Sequence, residues 1–133
     1  MSGTQSWMNP TLLQRLEGLA LLVAAIWIFA ESGETWWMFG LLLAAPDLSM
    51  LGYLRGPASG AITYNLGHAL LGPGLLFGWG VLAEWSLPLA LGAVWLAHIG
   101  MDRLAGYGLK YSDGFHHTHL GMIGPAKRAE HQR

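Results

Sequence analysis

Two long apolar runs separated by one acidic residue decide the fold. Residues 61–83 read AITYNLGHALLGPGLLFGWGVLA and residues 85–101 read WSLPLALGAVWLAHIGM, with only Glu84 between them. At 1.5 Å per residue, runs of about 17 to 23 residues cross about 30 Å of hydrocarbon. A connection this short makes the two helices antiparallel neighbours. The two runs therefore predict a pair of membrane-spanning helices.

Two further apolar runs precede this pair, at about residues 12–30 and 36–54, and the connections between the runs are again short. The sequence thus predicts an all-α, four-helix transmembrane bundle. The whole chain, residues 1–133, forms one membrane domain, with a Gly-, aromatic- and His-rich C-terminal segment at residues 102–133. A soluble bundle is the alternative, but its helices would carry a polar stripe with a period near 3.6 residues. The first, third and fourth runs lack that stripe over most of their length.

Composition supports the membrane prediction and excludes several classes of protein. The chain is 53% hydrophobic and 11% charged, with a net charge of −1, whereas a soluble domain is about 25% charged. Low charge and high apolar content exclude disorder, and the absence of a basic face excludes an electrostatic nucleic-acid binder. No Cys is present, which excludes thiolate zinc sites and Cys nucleophiles.

The positions of the charges predict the orientation of the bundle. With four spans, all seven basic residues fall on one side: Arg15, Arg55, Arg103, Lys110, Lys127, Arg128 and Arg133. The opposite loops contain only Glu31, Glu34 and Glu84. The positive-inside rule then predicts a multi-pass protein of the inner (plasma) membrane with both termini in the cytoplasm.

Small residues inside the third run suggest close helix packing. Gly74 and Gly78 are four residues apart, and this spacing allows two helices to approach closely in lipid. A hinge or groove at Pro73 is the functional alternative.

Four ionisable residues lie inside the predicted spans, where they are costly and usually functional. They are Asp47, His68, His98 and Asp102. Because the helices alternate in direction, these scattered positions converge on one layer in the cytoplasmic half of the membrane. The sequence therefore predicts a polar site that opens to the cytoplasm.

The spacing within this layer adds chemical detail. His98 and Asp102 are i and i+4, so they share a helix face and suit two ligands of one metal, or a ligand and its orienting carboxylate. Tyr64 has the same spacing to His68. Pro46 loosens the helix before Asp47 and exposes carbonyl groups there.

Each residue also has an ordinary structural explanation. His98 and Asp102 could pair with each other, Asp47 could neutralise Arg55, and the His116–His119 cluster could be a solvated loop. Taken together, however, two Asp and two His on three helices need partners in a low dielectric. A zinc, iron or manganese ion would be a common partner for them, with Asp47, His68, His98 and His119 as the predicted ligands.

The chain resembles a family of small bacterial membrane proteins, domain of unknown function 4260, over about residues 12–124. The resemblance is carried by Pro-Asp in the second span, Tyr-Asn-x-x-His in the third, His-x-x-x-Asp-Arg in the fourth, and Gly-Tyr-Gly-Leu-Lys-Tyr and Thr-His-Leu-Gly after it. The family implies membrane placement but no activity. Its pattern falls on Asp47, Tyr64, Asn65, His68, His98, Asp102, Arg103, Lys110, Tyr111, Thr118 and His119.

Three functions remain open from the sequence. The first is a metal-dependent hydrolase that acts on a membrane lipid or another amphipathic substrate. In it, Asp102 would bind metal or orient His98, Tyr64 would donate a proton, Lys110 or Arg103 would hold an anionic group, and Asn65 would contact the cofactor. The second is an electron carrier with a haem between His68 and His98. The third is a proton or ion transporter, for which homo-oligomers would have to form the pore.

Overall fold

The computed structural model describes residues 9–107 and the backbone of residues 117–118 and 121–122. These residues form helix α1 (Pro10–Ser32), α2 (Trp36–Leu42), a 3₁₀ helix (Ala45–Arg55), α3 (Pro57–His68), α4 (Leu71–Leu82) and α5 (Ser86–Ala105). A two-residue antiparallel pair, β1 (His117–Thr118) and β2 (Gly121–Met122), follows. The described part of the chain is therefore almost entirely helical, as the sequence predicts.

The helices make four rods that correspond to the four predicted runs, but two of the rods are interrupted. The second consists of α2 followed by the 3₁₀ helix, and the third of α3 followed by α4. Of the described helices, the first rod and the run Trp36–Arg55 are long and apolar enough to cross a membrane.

Proline accounts for both interruptions. A proline inside a helix lacks an N–H donor, and its ring collides with the carbonyl group four residues earlier. For Pro46 that carbonyl group belongs to Leu42, where α2 ends. For Pro73 it belongs to Ala69, whose backbone is extended at ψ 153°. The prediction of one continuous helix over residues 61–83 is wrong for this reason, and His68 becomes the last residue of α3.

Helix α5 is the centre of the fold. Ten of its residues are buried, against at most four in any other described helix. Helices α1 and α4 pack along it, while the 3₁₀ helix packs chiefly on α3. Its buried face is rich in small residues, among them Ala90, Ala93 and Ala97, so the neighbouring helices can approach its backbone closely.

Large apolar side chains cover the outside of the described helices instead of their centre. Leu54 and Leu82 are 86% and 87% exposed, and Trp27 and Trp37 are 67% and 68% exposed. A water-soluble monomer rarely shows apolar surface of this extent. The apolar exterior agrees with the presence of two helical runs that are long and apolar enough to cross a membrane.

The closest approach of α1 and α5 occurs at a pair of glycines. A Cβ atom on Gly100 would lie 2.7 Å from the carbonyl oxygen of Gly18, and a Cβ atom on Gly18 would lie 2.7 Å from the carbonyl oxygen of Gly100. In contrast, a Cβ atom on Gly74 or Gly78 would meet no atom within 4 Å among the described residues. Among the described residues, the prediction of close packing at Gly74 and Gly78 is therefore wrong, and Gly18 and Gly100 take that role.

Replacement of Gly100 by alanine is expected to destabilise the fold by about 1–3 kcal/mol, since the new methyl group collides with backbone atoms. Unfolding in mixed detergent micelles measures this change. Gly78→Ala is the matched control: it adds the same methyl group to open space and is expected to leave stability unchanged or slightly raised. Equal stability of the two variants would contradict the packing described for α1 and α5.

Candidate metal centre

Four side chains from three helical segments meet at one point. Asp47 comes from the first turn of the 3₁₀ helix, His68 from the end of α3, and His98 and Asp102 from successive turns of α5. One ligand atom from each residue lies within 4.8 Å of all the others. The structure thus brings together the layer of polar residues that the sequence singled out.

Four atoms form six pairs, and five of the six distances are short and nearly equal. The sixth, between the two carboxylate oxygens, is at most 4.8 Å. His68 Nε2 lies 3.3 Å from Asp47 Oδ1 and 3.2 Å from Asp102 Oδ2. His98 Nε2 lies 3.1 Å from Asp47 Oδ1 and 3.2 Å from Asp102 Oδ2. The two Nε2 atoms are themselves 3.1 Å apart. Tetrahedral ligands on bonds of about 2.0 Å would be about 3.3 Å apart, so five of the six separations match such a shell.

Backbone carbonyl groups fix the tautomer of both histidines. His98 Nδ1 donates to the carbonyl oxygen of Leu43 at 2.7 Å, and His68 Nδ1 donates to that of Tyr64 at 2.9 Å. A carbonyl oxygen can only accept, so each Nδ1 carries the proton. In a neutral imidazole the Nε2 lone pair then faces the cluster, as it does in metal-binding histidines.

With both imidazoles neutral, four electron-rich atoms face one another, whereas an Nε2–H on one imidazole would bond to a carboxylate. Two neutral Nε2 lone pairs and two carboxylate oxygens repel at separations near 3.2 Å. A cation among them converts this repulsion into four favourable contacts. Doubly protonated histidines would bond to the carboxylates, but they would place two N–H groups 3.1 Å apart.

Pro46 explains why Leu43 is available to His98. In a continuous α-helix, the N–H of Asp47 would donate to the Leu43 carbonyl oxygen. Here it donates to Ala44 at 3.0 Å, in the 3₁₀ pattern. The carbonyl group of Leu43 is thereby released to accept from His98, as the sequence predicted in general terms for carbonyl groups near Pro46.

Aromatic and hydroxyl groups hold the ring of His68. The Tyr64 ring stacks on it with centroids 3.8 Å apart and planes inclined by 9°. Ser49 Oγ lies 3.5 Å from His68 Nδ1 and donates to the carbonyl oxygen of Pro46 at 2.6 Å. The structure thus gives Tyr64 a positioning contact, while its predicted role as a proton donor stays a prediction.

The site is shielded on the histidine side and open on the aspartate side. His68 and His98 are 4% and 2% exposed, Asp102 is 19% exposed and Asp47 is 42% exposed. Among the described residues, the carboxylates are thus the ligands that water or a substrate can reach. Asp47 is the ligand nearest to this opening.

Two other predicted residues that the structure describes, Asn65 and Arg103, are not among the four. Asn65 is half-buried on α3. The Cβ atom of Arg103 lies against α1, 2.8 Å from a Cβ atom built on Gly18. Lys110 and His119 lie outside the described residues, so their predicted roles stay predictions. Leu43 and Ser49 were missed by the sequence analysis: a carbonyl acceptor leaves no signal in a sequence, although Ser49 is only two residues from Asp47.

The Pro46→Ala variant should lose the tautomer lock on His98. Alanine restores an N–H and lets α2 continue, so that Asp47 N–H competes for the Leu43 carbonyl oxygen. In ¹⁵N-labelled protein, we expect a slowly exchanging Nδ1–H proton of His98 to disappear. Pro57→Ala is the control, because Pro57 is the exposed first residue of α3, where proline breaks no hydrogen bond. Persistence of the His98 signal in Pro46→Ala would show that Pro46 is not needed to release Leu43.

Comparison with known proteins identifies a family, but the description of the family names no function. Searches of curated proteins and of solved structures found no match. Residues 11–123 match a family described as Domain of unknown function (DUF4260), which agrees with the resemblance seen in the sequence. The match includes Asp47, His68, His98 and Asp102 and extends over most of the chain, so the chain belongs to the DUF4260 family.

Proposed function

We propose that this chain is a multi-pass membrane protein that binds one divalent metal ion between Asp47, His68, His98 and Asp102. The observation that carries the proposal is the convergence of these four ligand atoms, with five separations of 3.1–3.3 Å. The N₂O₂ donor set and the short separations favour Zn²⁺ over the larger Mn²⁺. The two carboxylates balance the charge of a divalent ion and the neutral imidazoles add none, so the occupied centre has no net charge, which suits a site inside a membrane.

The exterior of the fold supports the membrane part of the proposal. Exposed leucines and tryptophans surround the helices, and two helical runs are long enough to span. The basic residues then orient both termini toward the cytoplasm. In that orientation the metal centre lies in the cytoplasmic half of the inner membrane.

The chemistry that this centre supports best is hydrolysis of a membrane lipid or another amphipathic substrate. A bound Zn²⁺ would lower the pKa of a water molecule on it toward neutrality and would polarise an ester or phosphate oxygen. Asp47 is the most exposed of the four ligands, so its second carboxylate oxygen could accept a proton there, whereas both histidines are buried. The open side would also give water or a substrate access to a fifth coordination position.

The haem alternative finds no support in the geometry. A bis-histidine haem requires the two imidazoles on opposite faces of a wide ring. The two Nε2 atoms are 3.1 Å apart, and two carboxylate oxygens lie beside them. No space for a ring remains between His68 and His98.

Metal analysis tests the binding proposal. Protein purified in mild detergent should contain about one zinc per chain by elemental mass spectrometry. His68→Ala, His98→Ala and Asp102→Asn should each lower zinc affinity by more than the roughly 10–100-fold that loss of an outer-shell partner costs. Glu31→Gln removes a carboxylate near the C-terminal end of α1 that is not among the four ligands, and it should leave zinc affinity unchanged. Folded protein that neither contains nor binds a divalent metal would refute the proposal.

Lipid mass spectrometry tests the hydrolytic step. Zinc-loaded protein in vesicles of bacterial polar lipids should release a cleavage product, and a chelator should abolish release until zinc is returned. Asp47→Asn should slow release by about 10²–10⁴-fold, the usual contribution of a general base, with zinc content measured in parallel. Stoichiometric zinc with no product from any lipid class would make the centre a binding or structural site instead of a hydrolytic one.

A further inference from the structure

An apolar cavity is lined by residues that are close in sequence to ligands of the metal centre. Its volume is about 280 Å³, and its walls come from the junction of α2 with the 3₁₀ helix, from α4 and from α5. The residues that matter here are Leu42, Ala45, Pro46, Leu91 and Trp95. All of them are apolar, so the cavity suits hydrocarbon and not a polar metabolite.

The wall of the cavity and the ligands of the centre belong to the same stretches of chain. Pro46 lines the cavity and Asp47, the next residue, is in the cluster of four. Leu42 lines the cavity and the carbonyl group of Leu43 holds His98. Trp95 lines the cavity and donates its indole N–H to the carbonyl oxygen of Gly67, next to His68.

The cavity also has a direction. On α5, Trp95 precedes His98 by three residues and Leu91 precedes it by seven, which are about 5 and 10 Å along the helix axis. The cavity therefore extends from the metal centre toward the middle of α5. With the centre in the cytoplasmic half of the membrane, this direction is that of a cytoplasmic-leaflet lipid, whose polar head lies at the surface and whose chains point inward.

From this continuity and direction we infer that the cavity binds one hydrocarbon chain of a cytoplasmic-leaflet lipid and places the oxygen atoms of its head group against the metal centre. The inference rests on the proposed function, since it names the substrate class of that site. The volume of the cavity lies just below the range of about 300–1,000 Å³ that holds a whole drug-sized ligand. A single chain, and not the whole lipid, is thus the part that the cavity encloses.

Photo-crosslinking tests the position of the chain. Protein in bicelles is irradiated with phosphatidylglycerol that carries a diazirine on one acyl chain, either near the carbonyl carbon or near the middle of the chain. We expect the first probe to label Ala45 and Pro46 and the second to label Leu91. Leu82, which is 87% exposed, reports labelling by bulk lipid. Labelling in the cavity no stronger than at Leu82, or the same pattern with both probes, would overturn the inference.

A filled cavity provides the matched variant. Ala45→Phe projects a ring into the cavity and should lower labelling of Leu91 and Trp95 at least about fivefold, the equivalent of about 1 kcal/mol of overpacking. Ala44→Phe adds the same ring at an exposed neighbour that does not line the cavity and should change nothing. Unchanged labelling in Ala45→Phe would overturn the inference.

Zinc content of the same samples separates the two proposals. Cavity labelling by the two probes without bound metal would overturn the proposed function and, with it, the placement of the head group. Bound zinc without cavity labelling would overturn the lipid-chain inference and leave the metal centre standing. With both present, removal of zinc should lower labelling of Ala45 by the carbonyl-end probe, and no change there would overturn the contact between head group and metal.

Discussion

The structure depends on the crowding of four electron-rich atoms at a single point. Asp47 Oδ1, Asp102 Oδ2 and two Nε2 atoms approach to 3.1–3.3 Å, and each imidazole already uses its Nδ1–H on a backbone carbonyl group. Such a cluster needs a positive charge among its atoms, which a metal ion or a proton on one imidazole supplies. The geometry alone, without a motif or a relative, therefore gives four donor atoms that could hold a metal ion.

Two prolines make this arrangement possible. Pro46 ends α2 and converts the following turn to a 3₁₀ helix, which turns the Leu43 carbonyl group toward His98. Pro73 ends α3 at His68 by excluding a helical Ala69. The start of the 3₁₀ helix, which carries Asp47, and the end of α3, which carries His68, thus have the same cause. In both cases proline lacks an N–H donor and its ring clashes with an earlier carbonyl group. A backbone group that such an interruption frees needs another partner, and the Leu43 carbonyl group finds it in His98.

Much of the architecture was predictable because it follows from composition and periodicity. Run lengths gave the four rods, and antiparallel alternation predicted that Asp47, His68 and His98 would share one layer. The i, i+4 spacing gave the common face of His98 and Asp102. The helix break at Ala69 and the hydrogen bond from His98 to the Leu43 carbonyl group were not predicted. A helical sequence pattern does not tell which backbone groups lose their partner within the helix. The glycine contact was assigned to Gly78 instead of Gly100, since spacing alone does not identify the partner helix.

Half of the cluster lies on α5, the most buried of the described helices. His98 and Asp102 on this helix are 2% and 19% exposed, while leucines and tryptophans on the other helices face outward. Asp47 instead comes from the 3₁₀ helix, which has no buried residue, and its side chain is 42% exposed. The two carboxylates therefore differ in their surroundings, because Asp102 is held within protein and Asp47 is accessible from outside. The tightly packed helix thus fixes two of the ligands, and the exposed 3₁₀ helix supplies the one past which the centre can be reached.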